Sequence, residues 1–310
     1  MSEREWPAYL TLWRSGELRR RAETAYQSLA ACRICPRQCG VNRLAGQVGF
    51  CRAAADVLVA SWNLHHGEEP PISGTGGSGT IFFSGCSGRC KFCQNYPISQ
   101  LLAGRRYSIE ELAGMMLELQ RRGAHNINLV TGSHFVPQIL LALDIAAGRG
   151  LRLPLIHNCS GYESVETLRW LDGVVDIYLP DAKYSDDKIA HDLSGFVGYV
   201  EANRAALREM FRQVGDVVEL DERGVARRGL IIRHLVLPQG LAGSEETFRW
   251  VAANLSPHVY FSIMNQYFPA YQALDHPILG RKLSEEEYEA ALEAFFEAGL
   301  HNGWNQGCDY

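Results

Sequence analysis

The chain has 310 residues, 46% of them hydrophobic and 21% charged, which excludes a disordered or fibrous polypeptide. A chain of this size buries roughly 75% of the surface its unfolded form exposes, so it needs no disulfide or metal merely to fold. Thirty basic against 35 acidic side chains give a formal charge of −5, which argues against broad phosphate-backbone binding and puts nucleic acid low among candidate partners.

Taken in chain order, Glu3, Arg4 and Glu5 stand where a signal peptide would need an apolar core. No run approaches the ~18 apolar residues of a membrane span, so the expectation is a cytoplasmic protein with no membrane partner. Between residues 5 and 30, Trp6, Tyr9, Leu10, Trp13, Leu18, Ala22, Tyr26 and Leu29 recur at helical spacing, predicting one broken or two short helices with Gly16 between. Residues 32–51 hold Cys32, Cys35, Cys39 and Cys51 among Gly40, Gly46 and Gly49, too many turn formers for a regular element. A strand is expected at 57–62, then a boundary loop from Gly67 to Gly79.

Beyond that loop, short β-branched or aromatic runs at 80–84, 126–130, 153–157, 174–179, 230–237 and 259–264 predict strands, separated by stretches of helical period. A helix over 108–122 opens with a capping box, Ser108 to Glu111, and stops at Gly123; the last helix opens the same way, Ser284 to Glu287. Six strands alternating with helices predict a parallel α/β sheet, open or barrel-like. The expected division is an N-terminal extension over 1–74, a core over 75–270 and a C-terminal helical segment over 271–310.

In such a sheet a ligand sits at the C-terminal ends of the strands. Polar residues collect there: Cys86 after the first strand, Thr131, Gly132, Ser133 and His134 after the second, and His157, Asn158 and Ser160 at the third. Asp181 and Lys183 follow the fourth, His234 lies late in the fifth, and Asn265 and Gln266 end the sixth. His134 and His157, taken singly, fit structural roles better than catalytic ones.

Seven of the nine cysteines fall in two groups, and only Cys159 and Cys308 stand alone. In a reducing compartment, clustered thiols point to metal or redox chemistry. Cys86-x3-Cys90-x2-Cys93 offers three thiolates in one polar loop, enough for three corners of a 4Fe-4S cubane with the fourth iron left open. An open metal position suits catalysis; a zinc loop completed by a distant residue is the alternative.

At these residues the sequence resembles the radical S-adenosylmethionine superfamily, whose mark is this spacing with an aromatic residue before the last cysteine, here Phe92. The resemblance implies a partial (β/α)6 barrel and a 4Fe-4S cluster whose open iron is chelated by S-adenosyl-L-methionine. One electron then cleaves the sulfonium to a 5′-deoxyadenosyl radical, which abstracts a hydrogen atom. Within the superfamily the chain is most similar to the pyruvate formate-lyase activating enzyme group, through GTIFFSGCSGRCKFCQN, HNCSGY, Asp181-Ala182-Lys183 and IIRHLVLPQG.

That similarity implies cofactor-binding roles for Phe92, Thr131, Gly132, Ser133, Asn158, Asp181 and Lys183. Lysine of the Asp-x-Lys match would face the nucleotide carboxylate, and Arg233 aligns with a strand arginine. The chain departs from the group where Thr131-Gly132-Ser133-His134 replaces a Gly-Gly-Glu segment and where Asn158 replaces an aspartate. Thr131 and Ser133 can still accept a hydrogen bond from an ammonium group. The implied partners are a reductant such as flavodoxin or ferredoxin and a glycyl radical protein as substrate.

Two segments lie outside that transfer. His65-His66-Gly67-Glu68-Glu69-Pro70-Pro71 is either a loop folded over the barrel mouth or an ordinary linker. Cys32-x2-Cys35-x3-Cys39-x11-Cys51 supplies four thiolates, a closed set for either zinc or a second 4Fe-4S cluster. The competing functions are a radical enzyme acting on a small molecule or peptide, and a zinc or iron-sulfur protein with no turnover.

Overall fold

The computed structural model describes residues 6–305, so Cys308 lies outside the described residues. Among the described residues ten strands form the sheet: β1 (Val57–His65), β2 (Ser78–Phe83), β3 (Arg105–Tyr107), β4 (Ile127–Val130), β5 (Leu155–Cys159), β6 (Ile177–Pro180), β7 (Glu219–Leu220), β8 (Ala226–Leu235), β9 (Tyr260–Met264) and β10 (Gly303–Asn305). Their order is β10-β9-β8-β6-β5-β4-β2-β1-β3, with β7 paired to β8. Every pairing from β2 through to β10 along that path is parallel, while β1 and β3 close the other edge antiparallel. The fold is a partial (β/α) barrel whose six principal strands are those expected from the sequence.

Alternation along the strands assigns two faces. Ile81, Phe83, Ile127, Leu129, Leu155, Tyr178, Leu230 and Ile232 face the helices and join the main core. Ile156, Ile177, Leu179 and Ile231 face the barrel interior. On the outer layer the Ile109–Arg121 helix carries the expected capping box, as does the Glu285–Glu297 helix. The Val136–Gly148 helix is buried nearly all round because the Glu17–Gln27 helix packs on its far side. The N-terminal helices Tyr9–Arg14 and Glu17–Gln27 flank Gly16, which takes φ +77°, and Tyr9, Leu18, Ala22 and Ala25 belong to the main core.

Three local expectations change. The 67–79 stretch is not all loop: it contains the helical turn Pro70–Ser73 and the start of β2. The segment after residue 270 adds a strand as well as a helix, since β10 runs parallel to β9. The Glu68-Glu69 segment neither covers the barrel mouth nor links idly. Because β1 is antiparallel to β2 with His65 opposite Ser78, the chain after His65 emerges where the parallel strands begin. It turns inward there, Ile72 packs among the interior residues, and the Ile72 carbonyl accepts from Asn126 Nδ2 at the base of β4.

Candidate functional site

The three-cysteine loop leaves the end of β2 and is fixed by backbone bonds to another layer. Arg89 N donates to Ser194 O at 2.7 Å and Lys91 N to Leu193 O at 2.8 Å, so the Asp187–Ser194 helix supports the loop from outside. Gly88 can have no side chain, because a Cβ would meet Phe196 Cζ at 2.7 Å. Cys86, Cys90 and Cys93 are half-buried. Gly88 N approaches Cys86 Sγ at 3.3 Å, and Cys93 Sγ shares a hydrogen bond with Ser99 Oγ at 3.1 Å. As free thiols Cys86 and Cys90 are hard to ionise: burial pushes Cys86 up to about 12 and raises Cys90, which Lys183 partly opposes. A bound metal removes that barrier, since a coordinating thiol is deprotonated outright.

Asp181 and Lys183 reach this loop from the end of β6. Lys183 Nζ lies 2.6 Å from Asp181 Oδ2, with the side chains 19% and 20% exposed. Burial alone would lower the Lys183 ammonium, but Asp181 and the Cys90 thiol together raise it. The turn is held from behind: Lys183 N donates to Tyr199 Oη at 2.9 Å, and Asn203 Nδ2 donates to Asp181 O at 2.9 Å. Phe92 is buried in the cluster formed by Tyr162, Tyr184, Phe196, Tyr199 and Tyr267, edge-on to Tyr267 at 5.9 Å. The loop therefore sits on an aromatic floor with a cation beside two of its thiols.

Other candidates from the sequence go elsewhere. Thr131 follows β4 at φ +58°, an uncommon conformation for a β-branched residue, and its N–H donates to Asn158 O at 2.8 Å. Gly132 is hemmed in by Ile139 Cδ1, 3.0 Å from where a Cβ would stand. Ser133 is buried and donates to Glu163 Oε1 at 2.6 Å, while His157 Nε2 stands 3.5 Å from Glu163 Oε2. His157, Cys159 and Glu163 are all buried, with ligand atoms within 4.8 Å of one another. Glu163 was not singled out in the sequence; its only signal was an acidic residue one turn beyond Asn158-Cys159-Ser160-Gly161.

His134 contacts Ser84 O through Nε2 at 3.0 Å, and burial lowers it to about 4, so it is a neutral structural group. The strand β8 separates Arg233 and His234 by face. His234 points into the outer layer, with Nδ1 2.6 Å from Ala182 O and Nε2 2.9 Å from Ser244 Oγ. Arg233 points inward, where Nε lies 2.9 Å from Glu69 Oε1 and Nη2 3.7 Å from Glu68 Oε2. Both carboxylates are buried and come from the inward-turned segment before β2, a link across 164 and 165 positions that no local pattern announces.

With that geometry in view, comparison with known proteins identifies the class. The model of the "Radical SAM superfamily" matches residues 80–218. Residues 80–218 therefore form a radical SAM superfamily domain. A protein of Methanocaldococcus jannaschii, "Uncharacterized protein MJ0674", is 32% identical over 281 residues, covering 88% of this chain and 76% of that protein.

Among solved structures, methylornithine synthase (PylB) is 15% identical with a TM-score of 0.45, over 69% of this chain and 60% of that one. The FeFe-hydrogenase maturase HydG from Carboxydothermus hydrogenoformans is 12% identical with a TM-score of 0.47, over 69% of this chain and 49% of that one. The superfamily uses a 4Fe-4S cluster and S-adenosyl-L-methionine. Among the described residues no helix is long and apolar enough to cross a membrane.

Proposed function

We propose that Cys86, Cys90 and Cys93 ligate a 4Fe-4S cluster, that Lys183 meets the carboxylate of S-adenosyl-L-methionine at its open iron, and that the enzyme cleaves the nucleotide reductively. The observation that carries this is the Lys183–Asp181 pair standing beside the Cys86 and Cys90 thiols at parallel strand ends. Bound together, the cluster and the nucleotide supply a 5′-deoxyadenosyl radical able to abstract a hydrogen atom. The chain contributes placement: Lys183 offers a compact positive charge, Asp181 orients it, and the floor under Phe92 keeps water from one side of the loop. Anaerobic reconstitution with iron, sulfide, a reductant and S-adenosyl-L-methionine is expected to yield 5′-deoxyadenosine. A Cys86→Ala, Cys90→Ala, Cys93→Ala protein that still yields it would overturn the proposal.

The hydrogen donor in this proposal is a glycyl radical protein, as the similarity to the activating enzymes implies, with a flavodoxin or ferredoxin as reductant. An apolar rim supports a protein substrate. Leu101, Phe268 and Leu274 are 63%, 46% and 63% exposed, in segments tied to the cysteine loop. Leu101 follows the turn after Cys93, Phe268 follows Tyr267, and Ala273 N donates to Lys91 O at 2.9 Å. Mixing the reconstituted enzyme with glycyl radical proteins of its own organism is expected to give a doublet radical signal in one of them. A second reading, a small substrate carrying a cationic group, is favoured by the two buried carboxylates of Glu68 and Glu69 facing one guanidinium inside the barrel.

A further inference from the structure

We propose that Cys32, Cys35, Cys39 and Cys51 hold a second iron-sulfur cluster that relays single electrons to the Cys86–Cys93 loop. The second part of this inference rests on the function proposed above; the first part does not. The four cysteines line one pocket, together with Arg43, Phe50 and His134. Their segment is ordered by turns, with Cys32 N donating to Val41 O, Gly40 N to Cys32 O and Gln38 N to Cys35 O at 2.9–3.0 Å. Between residues 32 and 51 only Cys32, Ile34, Arg43 and Cys51 are buried. That is too little apolar surface to offset the conformational entropy of ordering twenty residues, so the segment needs another source of binding energy.

Arg43 gives the second, independent observation. It is 1% exposed, the largest fully buried side chain, yet among the described residues no carboxylate forms an ion pair with it. Its guanidinium donates to Ala54 O at 2.8 Å and His134 O at 2.7 Å, and Nη1 lies 3.9 Å from Cys32 Sγ. A buried cation without an anion is costly. A metal centre ligated by four thiolates carries net negative charge and would supply the missing countercharge at the cavity wall.

Zinc is disfavoured by spacing. Tetrahedral Zn–S bonds of ~2.3 Å draw the sulfurs to roughly 3.8 Å from one another. Among the described residues, the group with three potential ligand atoms within 4.8 Å is His157, Cys159 and Glu163, and no three of the four thiols form such a group. A cubane holds its thiolates farther apart, one on each iron.

The cavity is also joined to the radical loop. Arg37, between Cys35 and Cys39, donates to Ser87 O and to Gly195 O, each at 2.6 Å, and its guanidinium lies 3.3 Å over the Phe50 ring. Arg89 donates to Phe50 O, and Arg52 to Gln100 O. In the relay, one electron leaves the second cluster, which is oxidised by one unit, and enters the cluster at Cys86, Cys90 and Cys93, which is reduced by one. A low-potential one-electron carrier of the flavodoxin or ferredoxin class restores the donor.

The test is metal analysis and electron paramagnetic resonance on anaerobically reconstituted full-length chains. The Cys86→Ala, Cys90→Ala, Cys93→Ala protein is expected to keep about four irons and four sulfides, with a reducible signal that S-adenosyl-L-methionine does not alter. Cys39 is exposed, so Cys39→Ser opens no cavity in the barrel core; it is expected to halve the iron, keep the nucleotide-responsive signal, and slow that signal's reduction by reduced flavodoxin. Zinc in place of iron in the triple variant, or no metal there, overturns the inference, and so does an unchanged reduction rate in Cys39→Ser. Failure of the proposed function looks different: iron persists in the triple variant, but no protein shows a nucleotide-responsive signal.

Discussion

A Cβ on Gly85 would stand 2.5 Å from the carbonyl oxygen of Cys51 and 3.3 Å from His134 Nε2. The two cysteine groups, 35 positions apart at their nearest, therefore meet through backbone at the residue before Cys86. Gly85 also has φ +85°, where a side chain costs about 1–2 kcal/mol before any contact is counted. Gly85→Ala is thus expected to part the two loops, lowering reconstituted iron at Cys86, Cys90 and Cys93 and exposing residues 32–51 to protease. A variant with wild-type iron and an intact N-terminal segment would mean the contact is incidental.

Lys183→Ala should leave the three thiols and their iron in place while weakening S-adenosyl-L-methionine binding. Loss of one charge-assisted hydrogen bond costs ~1.5–3 kcal/mol, roughly tenfold or more in Kd. Asp181→Asn should weaken binding less, because it frees the ammonium from its 2.6 Å partner without removing the charge. Equilibrium dialysis of the nucleotide against the reconstituted proteins distinguishes these outcomes. An unchanged Kd in Lys183→Ala would reduce the pair to a surface ion pair.

Much of the frame was legible because it obeys local rules. Strands at 80–84 and 126–130 appear as Ser78–Phe83 and Ile127–Val130, since short β-branched runs bounded by turn formers have few other ways to bury themselves. Ser108 and Ser284 start helices because each side chain and its glutamate three residues on cap one another. The site's surroundings were less legible. Which of Arg233 and His234 faces inward follows from the register of β8 against β6 and β9, and the partners of Arg233 come from before β2. The strand β10 was hidden by its length of three residues.

His234 gives a pH test. It is fully buried, and burial lowers its imidazole from 6.5 to about 4, with the Ala182 carbonyl partly opposing. The unfolded chain therefore binds this proton more tightly than the folded one, so stability falls as pH drops from 6.5 toward 4. At pH 5 the loss from this group is about 2 kcal/mol, 1.5 pH units at ~1.36 kcal/mol each. His234→Gln keeps a donor for Ala182 and an acceptor for Ser244 but cannot titrate. Wild type should lose about that much relative to the variant between pH 8 and 5 in denaturant unfolding, a comparison in which acid effects on any cluster cancel. Parallel pH curves would refute the assignment.

Arg233 is the counterion for two buried carboxylates, and its removal should strengthen a pH dependence. Burial raises Glu68, an effect that Arg233 and His65 oppose and Glu69 reinforces. Glu68 Oε2 and Glu69 Oε2 have no hydrogen-bond partner, and besides Arg233 only His65 Nδ1, 3.0 Å from Glu68 Oε1, compensates the pair among the described residues. Arg233→Met keeps the volume and leaves two facing anions in the barrel interior. Breaking a buried pair from one side commonly costs ~3–5 kcal/mol. A carboxyl group whose folded pKa is raised contributes stability below its unfolded pKa and loses it as pH climbs through the folded value. The variant should therefore be least stable near pH 8 and recover toward pH 5.5, as Glu68 takes up a proton. Adding Glu69→Gln to Arg233→Met should flatten that curve and restore much of the loss at pH 8. Denaturant unfolding of both proteins at the two pH values decides it. An Arg233→Met protein with no loss at pH 8 would show that the two glutamates do not depend on this guanidinium.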